Sequence, residues 1–396
     1  MLTPQTANVD GTRKFVFVLG AHRSGTSLFA AACDALGVRL GEHFLAPNSE
    51  NPKGFFEDEE VVRLNDRLLR SSWLSWDALG YLWQEDFSAP HYRPYHEYAV
   101  RLLRERFAAA PLAGLKDPRF CLLLPFWQSV VREALEADVY YLLALRHPAH
   151  CARSQKARNI ADDDFHLIGK RREHVLMLWA TYMQQALRGV AADLAPGKLA
   201  IFDYEAMLQA PAGELRRLGR FLNTDHTTTP AREFATRFVD ASLNGSVSET
   251  GNVRQTIPEI WRWTESVYLS LHELSAHDAL VRQDLTALLT ELDLDSRQAL
   301  YLRETQHLYG YAYRKVLSLR HRLLRSITET RQGYEREHAL RQSQRQLQLE
   351  KNSLQQQHDS LDRRLQEILD SRAWQFILRL RAIKAALGLS STQREP

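Results

Sequence analysis

The chain of 396 residues has only three cysteines, Cys33, Cys121 and Cys151, far apart and odd in number. None forms a CxxC pair, so neither a disulfide framework nor a cysteine-ligated zinc site is expected. The thiols read as reduced and buried, in a cytoplasmic protein. No stretch approaches the roughly 20 apolar residues that cross a bilayer. The N-terminus lacks the charged, apolar and small-residue order of a signal peptide. Charge of one sign is missing too: 51 Lys and Arg stand against 48 Asp and Glu, a net charge of +3. That balance argues against a general nucleic-acid binder and makes any electropositive site a local one. What is present, 44% hydrophobic and 25% charged residues, suits a soluble globular protein with a sizeable core.

Four apolar, β-rich runs alternate with helical patterns. FVFVLG (15–20) reads as a buried strand and TSLFAAACDALG (26–37) as the helix after it. PLAGLKDPRF (111–120), DVYYLLALRHP (138–148) and KLAIFDYEAML (198–208) carry the other strands, each with charged or hydroxylated residues at its C-terminal end. The alternation predicts an α/β fold, a P-loop-like parallel sheet flanked by helices, with ligands at the carboxyl edge. Beyond it the character changes. Residues 311–370 hold one glycine and no proline, and Leu340, Leu347, Leu354, Leu361 and Ile368 recur every seventh residue. Gln344, Lys351 and His358, before Leu365, leave the second seam of the heptad incomplete, so a long helix is expected and a coiled coil only partly specified. The organisation read from the chain is a tail (1–12), a main domain (13–300), a helical stalk (301–370) and a basic tail (371–396). In that tail SRAWQFILRLRAIKAALG (371–388) puts Trp374, Ile377, Leu378 and Leu380 near Arg372, Arg379, Arg381 and Lys384, with no acid in the stretch. It reads as a basic amphipathic helix, lying on an anionic membrane or packed against protein.

GAHRSGTSL (20–28) nearly matches G-x-x-x-x-G-K-[ST]: Gly20, Gly25 and Ser27 are in place, and Thr26 stands where the lysine should be. A glycine-rich turn opening a helix presents backbone N–H groups and a positive dipole end to an anion. Ser24, Thr26 and Ser27 add hydroxyls and Arg23 a charged fork. Without the lysine, and with no obvious magnesium-holding acid, an ATP or GTP hydrolase is disfavoured. A small-molecule kinase with a degenerate loop, which would need magnesium, and a non-catalytic scaffold built on the helical extension remain alternatives.

RSGTS after a first strand resembles the 5′-phosphosulfate loop of sulfotransferases that use 3′-phosphoadenosine 5′-phosphosulfate (PAPS). Three further segments agree in order. LALRHPAHCARS supplies Arg146, Pro148 and Ser154, like the family's 3′-phosphate site. IFDYEAML is similar to its Tyr-Glu-Asp segment, with Tyr204 placed to contact adenine and Ala206 departing from the pattern. LKDPRF matches at Lys116 the lysine near the transferring sulfuryl group. The resemblance covers residues 13–300. It implies PAPS as co-substrate, held by Arg23, Ser24, Gly25, Thr26, Ser27, Arg146, Ser154 and Tyr204, with Arg23 and Lys116 covering charge in place of a metal. Two features depart: Leu28 stands where many members have an adenine-stacking Trp, and the late glycine-rich loop is matched only by GSVSETGNVRQT (245–256), with Arg254 as its cation.

The family's cytosolic members use a histidine base and its carbohydrate-modifying Golgi members a glutamate. NPKGFFEDEEVVRLND (51–66) lies where that glutamate is expected. Glu57 is the first choice, because Phe55 and Phe56 would desolvate it and raise its pKa. Asp58, Glu59, Glu42, His43 and Asp117 are rivals, and acids at a helix N-terminus are common for dipole reasons alone. The resemblance thus implies a bacterial-type sulfotransferase acting on a carbohydrate hydroxyl of a surface or lipid-linked glycan. The C-terminal region, similar to the ends of some enzymes that build surface polysaccharides, would supply self-association and peripheral contact with the inner face of a membrane. No nucleic-acid partner is expected.

Overall fold

The computed structural model describes residues 12–47, 51, 53–72, 74–77, 79, 85–161, 171–239, 258–278, 280–291 and 298–386. The chain divides into two units, Met1–Ala312 and Tyr313–Pro396.

The first unit is built on four strands, β1 (Lys14–Leu19), β2 (Leu112–Lys116), β3 (Asp138–Leu145) and β4 (Leu199–Asp203). All four expected apolar runs are strands, and they pair in parallel in the order β2-β1-β3-β4. The helices are α1 (Thr26–Ala35), α2 (Glu59–Ser71), α3 (Arg93–Phe107), α4 (Phe120–Leu135), α5 (Pro148–Ala161) and α6 (Arg172–Asp193). They continue with α7 (Tyr204–Gln209), α8 (Pro211–Leu222), α9 (Thr229–Glu233), α10 (Pro258–Leu274) and α11 (Arg282–Glu291).

Both faces of the sheet are covered, which is why β1 is an unbroken apolar run and does not alternate. Phe15, Phe17 and Leu19 point into one core with Phe107, Phe126 and Trp179 of α3, α4 and α6. Val16 and Val18 point into the other with Phe29 of α1 and Leu218 of α8. The chain leaves β1 toward β2 on one side and later crosses to β3 on the other. Ligand crevices of open α/β sheets form at such a reversal. The register Val18↔Lys116, Leu19↔Leu143 and Leu145↔Asp203 brings Gly20, Lys116, Arg146 and Tyr204 to this one edge.

Helix α12 (Gln298–Asp370) runs for 73 residues without a proline and accounts for most of the second unit. Ser371 ends it and starts α13 (Arg372–Ala386): its hydroxyl donates to the Ile368 carbonyl at 2.7 Å and accepts from the Trp374 N–H at 3.1 Å. The seven-residue series from Leu340 to Ile368 is uncovered, each side chain more than half exposed. Among the described residues, no helix is long and apolar enough to cross a membrane.

Candidate active site

The loop after β1 is anchored at its first residue, where the Gly20 N–H donates to Cys121 Sγ at 3.2 Å. Burial pushes the Cys121 and Cys151 thiols up to about 12 and raises Cys33 as well, so all three free cysteines are buried neutral thiols. Arg23 (φ 70°) and Gly25 (φ 87°) take left-handed conformations, Gly25 as the N-cap of α1. At Gly25 two constraints coincide, since a Cβ there would also lie 2.2 Å from the Tyr204 ring. The first turn of α1 carries no acidic residue, leaving its positive end uncompensated by side chains. Thr26 is buried in that turn. Ser24 is used differently from expectation: its N–H (3.1 Å) and its hydroxyl (2.7 Å) both donate to the Ala21 carbonyl, closing the turn.

Lys116, at the end of β2, is buried with three acceptors for its three N–H groups. They are Ser27 Oγ at 3.2 Å, the Phe55 carbonyl at 3.1 Å and Glu57 Oε1 at 2.5 Å. The loop, the 51–57 segment and β2 therefore meet on one ammonium. Ser27 also donates to the Phe55 carbonyl (3.3 Å) and accepts from Asn51 Nδ2 (3.2 Å). Glu57 is only 7% exposed. Burial raises its pKa, Lys116 opposes the rise, and Asp117 and Arg119 act in opposite senses; the net direction is upward. Arg119 lies 4.0 Å from Glu57 while held by Asp66 at 2.9 Å and Asp117 at 3.0 Å.

The rival acids are engaged elsewhere. Asp58 caps α2, accepting from the Glu60 and Val61 N–H groups. Asp117 accepts from Asn65 at 2.9 Å and from the Arg119 backbone and side chain. Glu59 pairs with Arg63 and Glu42 with Arg39 on the surface, and His43 is exposed. Glu57 alone of the group combines burial with a contact to Lys116.

The second group of predicted residues also converges. Arg23 Nε donates to Ser154 Oγ of α5 at 2.9 Å, and Arg146 donates to the Arg23 carbonyl at 3.1 Å. The Arg146 guanidinium sits 4.2 Å from the Tyr204 ring centroid. Tyr204, expected beside adenine, packs on Arg146 and over Gly25, so its ring lies between the loop after β1 and the end of β3. Leu28 is partly buried against the α1-side core. Arg254 lies outside the described residues.

Sequence reasoning missed Asn51, Arg119 and Glu205. Glu205 Oε1 sits 3.7 Å from Arg146 and 2.8 Å from His150 Nδ1, a carboxylate set against the cation expected to meet a phosphate. Its signal was present in the DYEA segment, where only the tyrosine was used.

The donor set suits a nucleotide with anions at two positions. Gly25 and the acid-free end of α1, with Arg23 and Lys116 nearby, fit a 5′-phosphosulfate; Arg146 and Ser154 fit a second phosphate. Among the described residues no cluster of acids, histidines and cysteines could hold a metal ion.

The profile of the sulfotransferase family matches residues 16–228, more than half of the chain. Solved structures with a similar course include the sulfotransferase domain from the Synechococcus PCC 7002 olefin synthase, at 14% identity and TM-score 0.36, covering 72% of this chain and 96% of that one. A sulfotransferase from Alicyclobacillus acidocaldarius matches at 16% identity and TM-score 0.34, over 70% and 96% of the two chains. One from Mycobacterium avium matches at 14% and 0.36, over 72% and 76%. No curated protein matches. Of the activities left open by the near-P-loop, sulfuryl transfer is thus selected over phosphoryl transfer: the chain belongs to the sulfotransferase family.

Proposed function

We propose that the protein transfers the sulfuryl group of PAPS to a hydroxyl of a carbohydrate, in a surface or lipid-linked glycan, without a metal. The observation that carries this reading is the buried Lys116–Glu57 pair seated against Ser27 of the loop. PAPS, when bound, supplies the sulfuryl group. Glu57 takes the proton of the attacking hydroxyl, a role helped by a pKa that burial raises above the ordinary carboxylate value. Lys116 loses its ionic partner as Glu57 is neutralised. Its freed N–H can then turn toward the oxygen that gains charge as the sulfuryl group departs. Coupling the two changes through one hydrogen bond delivers the cation when charge develops. Arg23, Arg146 and Ser154 hold the nucleotide's phosphates.

A carboxylate base, in place of a histidine, supports a carbohydrate acceptor. The tail supports placement near a membrane. On α13, Phe376, Ile377 and Leu380 are exposed on one face, flanked by Arg379 and Arg381. The test offers PAPS labelled in the sulfuryl group together with lipid-linked glycans, soluble oligosaccharides and simple phenols. Label should enter the glycans without added metal. Label on phenols alone would place the acceptor in another class, and label on none of them would remove the carbohydrate reading.

A further inference from the structure

The seven-residue series of α12 belongs to a longer pattern. Counting in sevens from Leu340 in both directions gives Leu319, Leu347, Leu354, Leu361 and Ile368 on one seam, interrupted by Ser326 and Gly333. The companion seam, three residues earlier in each heptad, holds Val316, Leu323 and Leu365 among Thr330, Glu337, Gln344, Lys351 and His358. One register accommodates the apolar residues of 316–323 and of 340–368; between Leu323 and Leu340 its seam positions are Ser326, Thr330, Gly333 and Glu337, and the exposed Leu324, Ile327 and Tyr334 lie off it. Its nine apolar side chains are 48–65% exposed. Apolar side chains at a strict period of seven, grouped at 316–323 and 340–368 in one register, fit the seam of a second helix.

The polar seam positions select the partner's direction. In a parallel, in-register pair each companion-seam residue faces its own copy, so Glu337 would meet Glu337 and Lys351 would meet Lys351 in the seam. In an antiparallel pair the two seams face each other and those contacts vanish. One antiparallel alignment matches size as well. Val316 lies opposite Ile368, Leu319 opposite Leu365 and Leu323 opposite Leu361 at both ends. In the same alignment the long polar Lys351 and His358 face the two smallest seam residues, Gly333 and Ser326. Glu337 meets Leu347 and stays paired with Arg341 of its own helix at 2.5 Å. The flanks carry both signs: Arg336 beside Glu350, but also Arg322 beside Arg364 and Arg341 beside its own copy. Such rim pairs are solvent-exposed and weigh little against the seam.

We infer that α12 pairs with α12 of a second copy of this chain, as an antiparallel two-stranded coiled coil over residues 316–368. The inference is independent of the acceptor and of the chemistry of the first unit.

The test uses the full chain. Sedimentation equilibrium at micromolar concentration should give twice the chain mass. Replacing Leu347→Asp and Leu354→Asp together should return the mass to one chain while binding of adenosine 3′,5′-bisphosphate (PAP) in the first unit persists. Orientation is read by oxidative crosslinking, against a background of native cysteines that are all buried. Ser326→Cys alone should not crosslink, because the two copies of residue 326 would lie about 48 Å apart at 1.5 Å per residue. The double variant Ser326→Cys with His358→Cys should crosslink in high yield. A single-chain mass for the wild type, or any mass other than two chains, overturns the inference. So does crosslinking by Ser326→Cys alone, which reports a parallel pair, or failure of the double variant to crosslink.

Discussion

Replacing Glu57 with glutamine separates nucleotide binding from chemistry. The substitution keeps the shape and one acceptor oxygen for the Lys116 ammonium, which retains Ser27 Oγ and the Phe55 carbonyl. It removes the only acid in the 51–59 segment that is buried against that lysine. A general base contributes about 10²–10⁴ in rate, so transfer should fall at least about a hundredfold, roughly 2.7 kcal/mol in the barrier. Leaving the Lys116 charge without its counter-ion should cost stability, but the remaining oxygens limit that to about 1–3 kcal/mol. PAP should bind as well as before or more tightly, because a negative charge has left the neighbourhood of an anion site. The assay is single-turnover transfer at saturating nucleotide, beside calorimetric titration and thermal denaturation of the same preparation. Near-normal transfer with normal PAP affinity would refute the assignment of the base, whatever the melting temperature. Lost PAP affinity would instead put Glu57 in the binding machinery.

Three further outcomes follow from the same geometry. Because burial holds the Glu57 pKa above its ordinary value, transfer should be lost as pH falls through that raised value, and Lys116→Met should move the acid limb to higher pH, read from a kcat/KM profile. Gly25→Ala should abolish PAP binding and lower the melting temperature, since it combines a left-handed backbone with a Cβ 2.2 Å from the Tyr204 ring; intact binding would show that the Gly25–Tyr204 packing is dispensable. A chain ending at Ala312 should keep PAP affinity, because Arg23, Lys116, Arg146, Ser154 and Tyr204 all lie in the first unit, and a large loss would tie the second unit to the site.

The sheet was legible because each strand is an apolar run ended by glycine, proline or a charge, and a doubly covered parallel strand needs little else. The loop was legible because glycine spacing reports backbone conformation directly, and Gly25 does take a left-handed φ. The site was legible only as separate pieces. That Lys116 of β2 reaches Glu57, or that Arg23 turns its guanidinium to Ser154, depends on strand order and crossovers spanning many residues, which no local period encodes. At Ser24 the motif suggests a hydroxyl for a ligand, and the structure adds what the motif does not show, that its N–H and hydroxyl both donate to the Ala21 carbonyl and close the turn. Asn51, Arg119 and Glu205 were missed because a polar residue in a loop or early helix looks solvated until its neighbours from other segments are known. In α12 the ladder from Leu340 was legible as a period, but its continuation through Val316, Leu319 and Leu323 was hidden by the polar residues between.

The central claim is a nucleotide site with two anion-binding ends and no metal. Calorimetric titration of the wild-type protein with PAP, adenosine 5′-monophosphate and ATP, each with and without magnesium, addresses it most directly. PAP should bind without magnesium and far more tightly than the monophosphate. Arg146→Ala should erase most of that preference, a loss of about 1.5–3 kcal/mol for a charged hydrogen bond. Equal affinity for PAP and the monophosphate, or tight binding only of ATP with magnesium, would contradict the account.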